Sequence, residues 1–147
     1  MGLPGIDWNT LVAAAREVRE RAYAPYSCYA VGAALLSGSG RVYTGCNVEN
    51  ASYGLAICAE RAAVAAMIAD GERTIRAIAI VTDGPTPGPP CGMCRQVLTE
   101  FADDLPIHLA SAMGGALART TSLAKLLPDA FRPQILQAAS KSKSQPP

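Results

Sequence analysis

ICAERAAVAAMIADGERTIRAIAIVT, residues 57–82, contains a helix and a strand that between them define the fold. Residues 57–69 are strong helix formers and apolar on nearly every side. A helix without a polar face belongs inside a core or between subunits. Residues 75–82 form a short apolar run of strand length, expected to be buried on both faces of a sheet. Downstream, residues 83–90 are a loop stiff with Pro and Gly, and a second helix is expected from Cys91 to about Ala102. Residues 106–110 read as a strand, Gly114-Gly115 as a turn and residues 116–120 as a last strand. Ser122 is placed to cap a brief helix ending near Pro128. Upstream, Asp7 caps a helix running to about Tyr23, with Leu11, Ala14, Ala15 and Val18 at helical spacing. Pro25 ends it. Residues 29–36 and 41–48 then form a hairpin across Ser37-Gly38-Ser39-Gly40. Alternating strands and helices of this kind predict an α/β fold, a three-layer α/β/α sandwich around a mixed five-stranded sheet.

The 147 residues make one domain, residues 1–137, followed by a polar, low-complexity segment, 138–147, expected to be disordered. Half the chain is hydrophobic and only 17% is charged, against about 25% in an average soluble protein, so some surface is expected to be hidden in an oligomer. The formal net charge of +1 supplies no field to attract a nucleic-acid backbone. No apolar stretch approaches the ~18 residues of a membrane span, and no basic segment leads into an apolar run at the start. The expected location is the cytoplasm. There, five cysteines point to metal ligands, reactive thiols or buried fillers before disulfides.

Cys58 stands in Cys58-Ala59-Glu60, and Cys91 and Cys94 in Pro90-Cys91-Gly92-Met93-Cys94. Cys91 and Cys94 share one face of a helix start, Cys58 opens another helix, and helix N-termini stabilise the thiolates that bind zinc. Pro90 precedes its helix where a missing N–H costs little. Three thiolates leave one position of a tetrahedral zinc open, as in catalytic sites, and Glu60 is placed to shuttle the proton of a water there. Zn²⁺ with three thiolates carries net negative charge, which weakens its acidifying power. Arg61 can offset this by donating to the sulfurs. On its own a CxxC is equally the pattern of a redox pair, half a structural zinc site or two buried thiols. A fully structural site would need a fourth ligand. Cys28 and Cys46 stand alone without partner spacing, and His108, the one histidine, lies within a strand.

The Cys58-Ala59-Glu60 and Pro90-Cys91-x-x-Cys94 pair resembles the signature of zinc nucleobase deaminases. Gly45-Cys46-Asn47-Val48-Glu49-Asn50-Ala51-Ser52-Tyr53-Gly54-Leu55 resembles the substrate segment of the cytidine deaminases. So do Ala24-Pro25-Tyr26-Ser27, Val31-Gly32-Ala33-Ala34-Leu35, Cys94-Arg95-Gln96-Val97-Leu98 and Leu126-Leu127-Pro128-Asp129-Ala130-Phe131. The resemblance spans roughly residues 7–135 and is to the short, homotetrameric, three-cysteine branch of the cytidine deaminase-like family. It implies hydrolytic conversion of cytidine and deoxycytidine to uridine and deoxyuridine with release of ammonia, in pyrimidine salvage. It implies one Zn²⁺ per subunit held by Cys58, Cys91 and Cys94, with Glu60 as acid and base. Asn47 and Glu49 would hold the ribose 3′-hydroxyl and the Ala59 backbone would meet the base. Tyr29 and Tyr53 would line the nucleoside site, and Phe131 would reach the base in a neighbouring subunit. Tyr29 stands where the family usually has Phe, and Cys28 where it has a basic or polar residue. These departures bear on substrate preference, not on reaction type.

Three rival readings differ at named residues. Blasticidin-type aminonucleoside deaminases share the zinc motifs and lack the Asn47-x-Glu49 pattern. A deaminase acting on DNA or RNA would need a basic track and stacking aromatics, and only 5% of this chain is aromatic. A zinc-stabilised scaffold has no use for Glu60.

Overall fold

The computed structural model describes residues 5–115 and 117–143. Helix α1 (Trp8–Arg19) begins where Asp7 accepts hydrogen bonds from Thr10 N at 3.2 Å and Thr10 Oγ1 at 2.6 Å. It ends with Arg16 and Arg19 facing the negative end of the helix dipole. The helix stops before the expected Tyr23 because the Tyr23 backbone is taken up elsewhere: its N–H donates to Asn47 O and its carbonyl accepts from Glu49 N.

Strands β1 (Gly32–Ser37), β2 (Val42–Cys46), β3 (Ile75–Thr82), β4 (Pro106–Ser111) and β5 (Arg119–Ser122) form one sheet in the order β2-β1-β3-β4-β5. Only β3 and β4 run parallel; the other pairs are antiparallel. The mixed five-stranded sheet read from the sequence is therefore present. Its first hairpin is shorter than expected, because residues 29–31 are held by side chains and Val48 pairs with Tyr23 and Ile57. β5 lies later than the expected 116–120, of which residue 116 is outside the described residues.

β3 carries the period-2 logic of the layers. Ala77, Ala79 and Val81 face α1 with Ala34, Ala110, Leu11 and Ala15. Ile78 and Ile80 face the opposite layer, where Leu35, Ile107 and Leu109 pack on α2 (Ala59–Ala69) and α3 (Gly92–Thr99). Apart from Arg76, the whole strand is buried, as a strand covered on both faces must be. Small residues on the α1 side let that helix come close: a Cβ on Gly32 would lie 2.0 Å from Ala15 O.

On the opposite layer, a Cβ on Gly45 would lie 2.4 Å from both Ala59 O and Ala63 N. The first turns of α2 therefore rest directly on β2. Burial of α2 covers Ala59, Glu60, Ala63, Val64 and Met67 and leaves Ala65, Ala66 and Ala69 exposed, so one chain only partly encloses this apolar helix. α3 stops at Thr99 instead of Ala102 because Phe101 O accepts from Ile75 N at 3.0 Å. Ser122 caps α4 (Leu123–Leu126) through Lys125 N. The segment expected to be a disordered tail differs: α5 (Pro133–Lys143) continues through its first six residues, starting at a Pro that suits a first helical position. Residues 144–147 lie outside the described residues.

Gly45→Ala forces the α2 backbone off β2 and is expected to cost about 1–3 kcal/mol. Gly54→Ala, where a Cβ meets nothing within 4 Å, is expected to stay within about 0.5 kcal/mol of the parent. Urea denaturation of the two variants beside the parent checks the contrast; equal midpoints would mean that the close approach is not a constraint.

Candidate active site

Two helix starts meet at the site. Cys58 and Cys91 are the N-cap residues of α2 and α3, both extended in backbone, and neither side chain caps its own helix. Their sulfurs turn toward each other instead, 3.8 Å apart. Cys94, in the first turn of α3, completes a group whose sulfurs all lie within 4.8 Å of one another. A tetrahedral zinc with Zn–S bonds of about 2.3 Å needs sulfurs about 3.8 Å apart, so the donor set fits that ion in chemistry and in spacing.

Glu60, in the first turn of α2, is 5% exposed. Its Oε2 accepts from Cys94 Sγ at 3.5 Å. Burial pushes its carboxyl above the usual carboxylate range. Hydrogen bonding from the Cys94 thiol, with help from Arg61, brings the Cys58 thiol down to about 5. Cys94 moves the other way, pushed up by its interaction with Cys58, by burial and by the neighbouring Glu60 carboxylate. Arg61 Nη2 donates to Ala56 O at 3.1 Å and lies 3.8 Å from Cys58 Sγ, while its buried Nε has no hydrogen bond among the described residues.

A pocket of about 420 Å³ opens onto this cluster. Cys58, Ala59, Glu60 and Cys91 line it from the helix starts. Tyr29, Val31, Thr82 and Pro89 form walls, and Ser27, Asn47 and Glu49 complete it. Asn47 is already engaged: its Oδ1 accepts from Val31 N and its Nδ2 donates to Tyr29 O, each at 2.8 Å. Glu49 accepts from Tyr26 N at 2.9 Å, Ser27 N at 3.1 Å and Ser27 Oγ at 2.5 Å, and the Ser27 hydroxyl holds its carboxyl below the usual range. Both side chains therefore shape the segment over the pocket as well as facing into it.

Tyr53 lies apart from this pocket. It is 77% exposed, edge-on to Tyr26, and lines an adjoining hollow of about 360 Å³ that shares Ser27 and Glu49. Phe131 is exposed and outside both hollows; its carbonyl accepts from Gln96 Nε2 at 2.8 Å. Cys28 and Cys46 stand outside the sulfur cluster. His108 stacks on Trp8 and pairs with Thr120 Oγ1. Sequence reading reached Ser27 and Val31 only as members of longer resembling segments and did not single out Thr82 or Pro89. Thr82 had a usable signal: it ends a strand with a parallel partner, next to the loop leading to Cys91.

The family model described as "Cytidine and deoxycytidylate deaminase zinc-binding region" matches residues 7–108. The cytidine deaminase of Sporosarcina psychrophila is 43% identical over 137 residues, covering 92% of this chain and 99% of that protein. The one from Halalkalibacterium halodurans is 46% identical over 127 residues, covering 86% and 95%. Among solved structures, the cytidine deaminase from Burkholderia pseudomallei superposes with a TM-score of 0.80 at 48% identity, over 86% of this chain and 100% of its own.

Arg61→Ala is expected to weaken zinc binding about tenfold in competition with a chelator, since donors to the sulfurs tune metal affinity by that order. Unchanged affinity together with unchanged turnover would remove Arg61 from the site.

Proposed function

Because the chain belongs to the cytidine and deoxycytidylate deaminase family with its zinc-binding region, we propose that it hydrolyses cytidine and deoxycytidine to uridine and deoxyuridine, releasing ammonia. The observation that carries this is Glu60, a buried carboxyl against a three-sulfur cluster of zinc-binding dimensions, at a pocket sized for a nucleoside. Cys58, Cys91 and Cys94 hold one Zn²⁺ per subunit. When bound, the ion supplies Lewis acidity that lets water lose a proton near neutral pH.

Glu60 takes that proton on its carboxylate and passes it to N3 of the ring as the water oxygen bonds to C4; it then takes the proton of the new C4 hydroxyl and delivers it to the amine, which departs as ammonia. A carboxyl raised by burial is suited to both directions of transfer. The Ala59 backbone meets the base, and Arg61 relieves the negative charge of the sulfurs. Asn47 keeps one Nδ2–H, and Glu49 its remaining lone pairs, for the ribose 3′-hydroxyl, which both sugars possess. Tyr29 forms a wall against the nucleoside, and Tyr53 serves from the adjoining hollow that shares Glu49.

Phe131 lies outside the pocket of its own chain, and α2 leaves an apolar stripe exposed. Both features support a homotetramer in which Phe131 reaches a neighbour's base. A role in pyrimidine salvage in the cytoplasm follows from the same reading. No described helix is long and apolar enough to cross a membrane.

Glu60→Ala in zinc-loaded protein is expected to lower kcat for cytidine by about 10²–10⁴-fold, followed by ammonia release and ultraviolet absorbance. A zinc-loaded wild type that leaves cytidine untouched would overturn the reading and redirect it to modified cytosines or aminonucleosides.

A further inference from the structure

Residues 29–31 carry two walls of the pocket, Tyr29 and Val31, yet belong to no strand. Every main-chain polar atom from Tyr29 N to Val31 O nevertheless has a partner. Ser27 Oγ accepts from Tyr29 N at 3.0 Å, and Asn47 takes Tyr29 O, Val31 N and, through its own N–H, Val31 O. The Ala30 peptide groups between them go to a different pair. Asp83 Oδ2 accepts from Ala30 N at 2.9 Å, and Arg19 Nε donates to Ala30 O at 3.2 Å. Arg19 Nη2 is in turn ion-paired with Asp83 Oδ1. The two side chains and Ala30 therefore form a closed clamp joining the end of α1, the residue after β3 and the pocket wall.

The clamp is partly desolvated, with Arg19 and Asp83 side chains 16% and 29% exposed, so it holds better than an ion pair in open water. It also holds a strained entry: Cys28, which is not glycine, has φ of 55°. What the clamp aims is Tyr29. A Cβ on Gly88 would lie 2.8 Å from Tyr29 Oη, so the tyrosine abuts the loop that leads to Cys91. That loop is tied back by Gly88 N donating to Thr82 Oγ1, next to Asp83. Arg19 and Asp83 themselves line no part of the pocket.

We propose that Arg19 and Asp83 are positioning residues of the deaminase: through Ala30 they set Tyr29 and Val31 and so determine how tightly the nucleoside is held, without touching it. This rests on the function proposed above.

The test compares Asp83→Ala, the milder Asp83→Asn and Arg19→Lys with the parent, all zinc-loaded. It reads kcat and KM for cytidine and amide hydrogen exchange at residues 29–31. Asp83→Ala is expected to raise KM about tenfold with kcat within about threefold, unchanged zinc content and faster exchange at Ala30 and Val31. Tyr29→Ala added to Asp83→Ala should then cost less than Tyr29→Ala alone. Faster exchange with unchanged KM would overturn the proposal, as would strictly additive effects or a fall in kcat that tracks loss of zinc. If Asp83→Ala does not fold, Asp83→Asn and Arg19→Lys carry the same comparison. If the parent binds cytidine without converting it, the deaminase reading falls and the cytidine dissociation constant replaces KM in judging the clamp.

Discussion

Three sulfurs converging to the spacing of one tetrahedral ion is the constraint to which the rest of this structure answers. Cys58 and Cys91 reach 3.8 Å only because two helices begin side by side at the same edge of the core. That in turn requires α2 to lie flat on β2, and the absence of a side chain at Gly45 permits it. It also requires α3 to start directly after a Pro-rich loop leaving β3, whose parallel partner β4 fixes the direction of the crossover. The sheet, with alanines toward α1 and isoleucines toward α2 and α3, holds both starts in place through close packing.

Electrostatics then decide what such a cluster can do. Three thiolates and a carboxylate within a few ångströms repel each other strongly in a poorly solvated site. Helix N-termini and Arg61 supply the compensating positive potential, and the structure divides the load unevenly. Cys58 lies toward the thiolate, while Cys94 and Glu60 hold on to protons. With Cys58, Cys91 and Cys94 taken up as ligands, Glu60 would be the buried group beside them still suited to exchanging a proton. Its burial therefore contributes to chemistry, since an equally placed but solvated carboxylate would remain ionised and be a poor acid.

The mixed five-stranded sheet, the buried strand 75–82, the Asp7 and Ser122 caps and the pairing of Cys58-Ala59-Glu60 with Cys91 and Cys94 were all legible in the sequence, while the order of the strands was not. These features rest on short-range rules: periodicity, capping and ligand spacing. Element ends were less legible, and each miss has a tertiary cause. α1 loses its last turn to the Tyr23–Asn47 pairing, and α3 loses its end to the Phe101–Ile75 hydrogen bond. At 138–143 the polar tail composition concealed the continuation of a helix that begins at Pro133. Phe131 is the opposite case, since its own chain leaves it exposed and outside the pocket that Glu60 lines.

Asn47 and Glu49 show why a substrate wall is harder to read than a metal site. On an edge strand they pass for solvated polar residues. Folded, they hold residues 26–31 by hydrogen bonds that would elsewhere come from a neighbouring strand. A strand there would present its side chains alternately to two faces. Tyr29 and Val31, two residues apart, would share a face there too; what the side-chain ties add is that Asn47 and Glu49, which make them, line the same pocket. The polar groups that shape the pocket and those that face its contents are then partly the same atoms. A substitution at Asn47 or Glu49 would remove both functions together, whereas Arg19 and Asp83 reach the same segment from outside the pocket and can be changed without altering what the nucleoside touches.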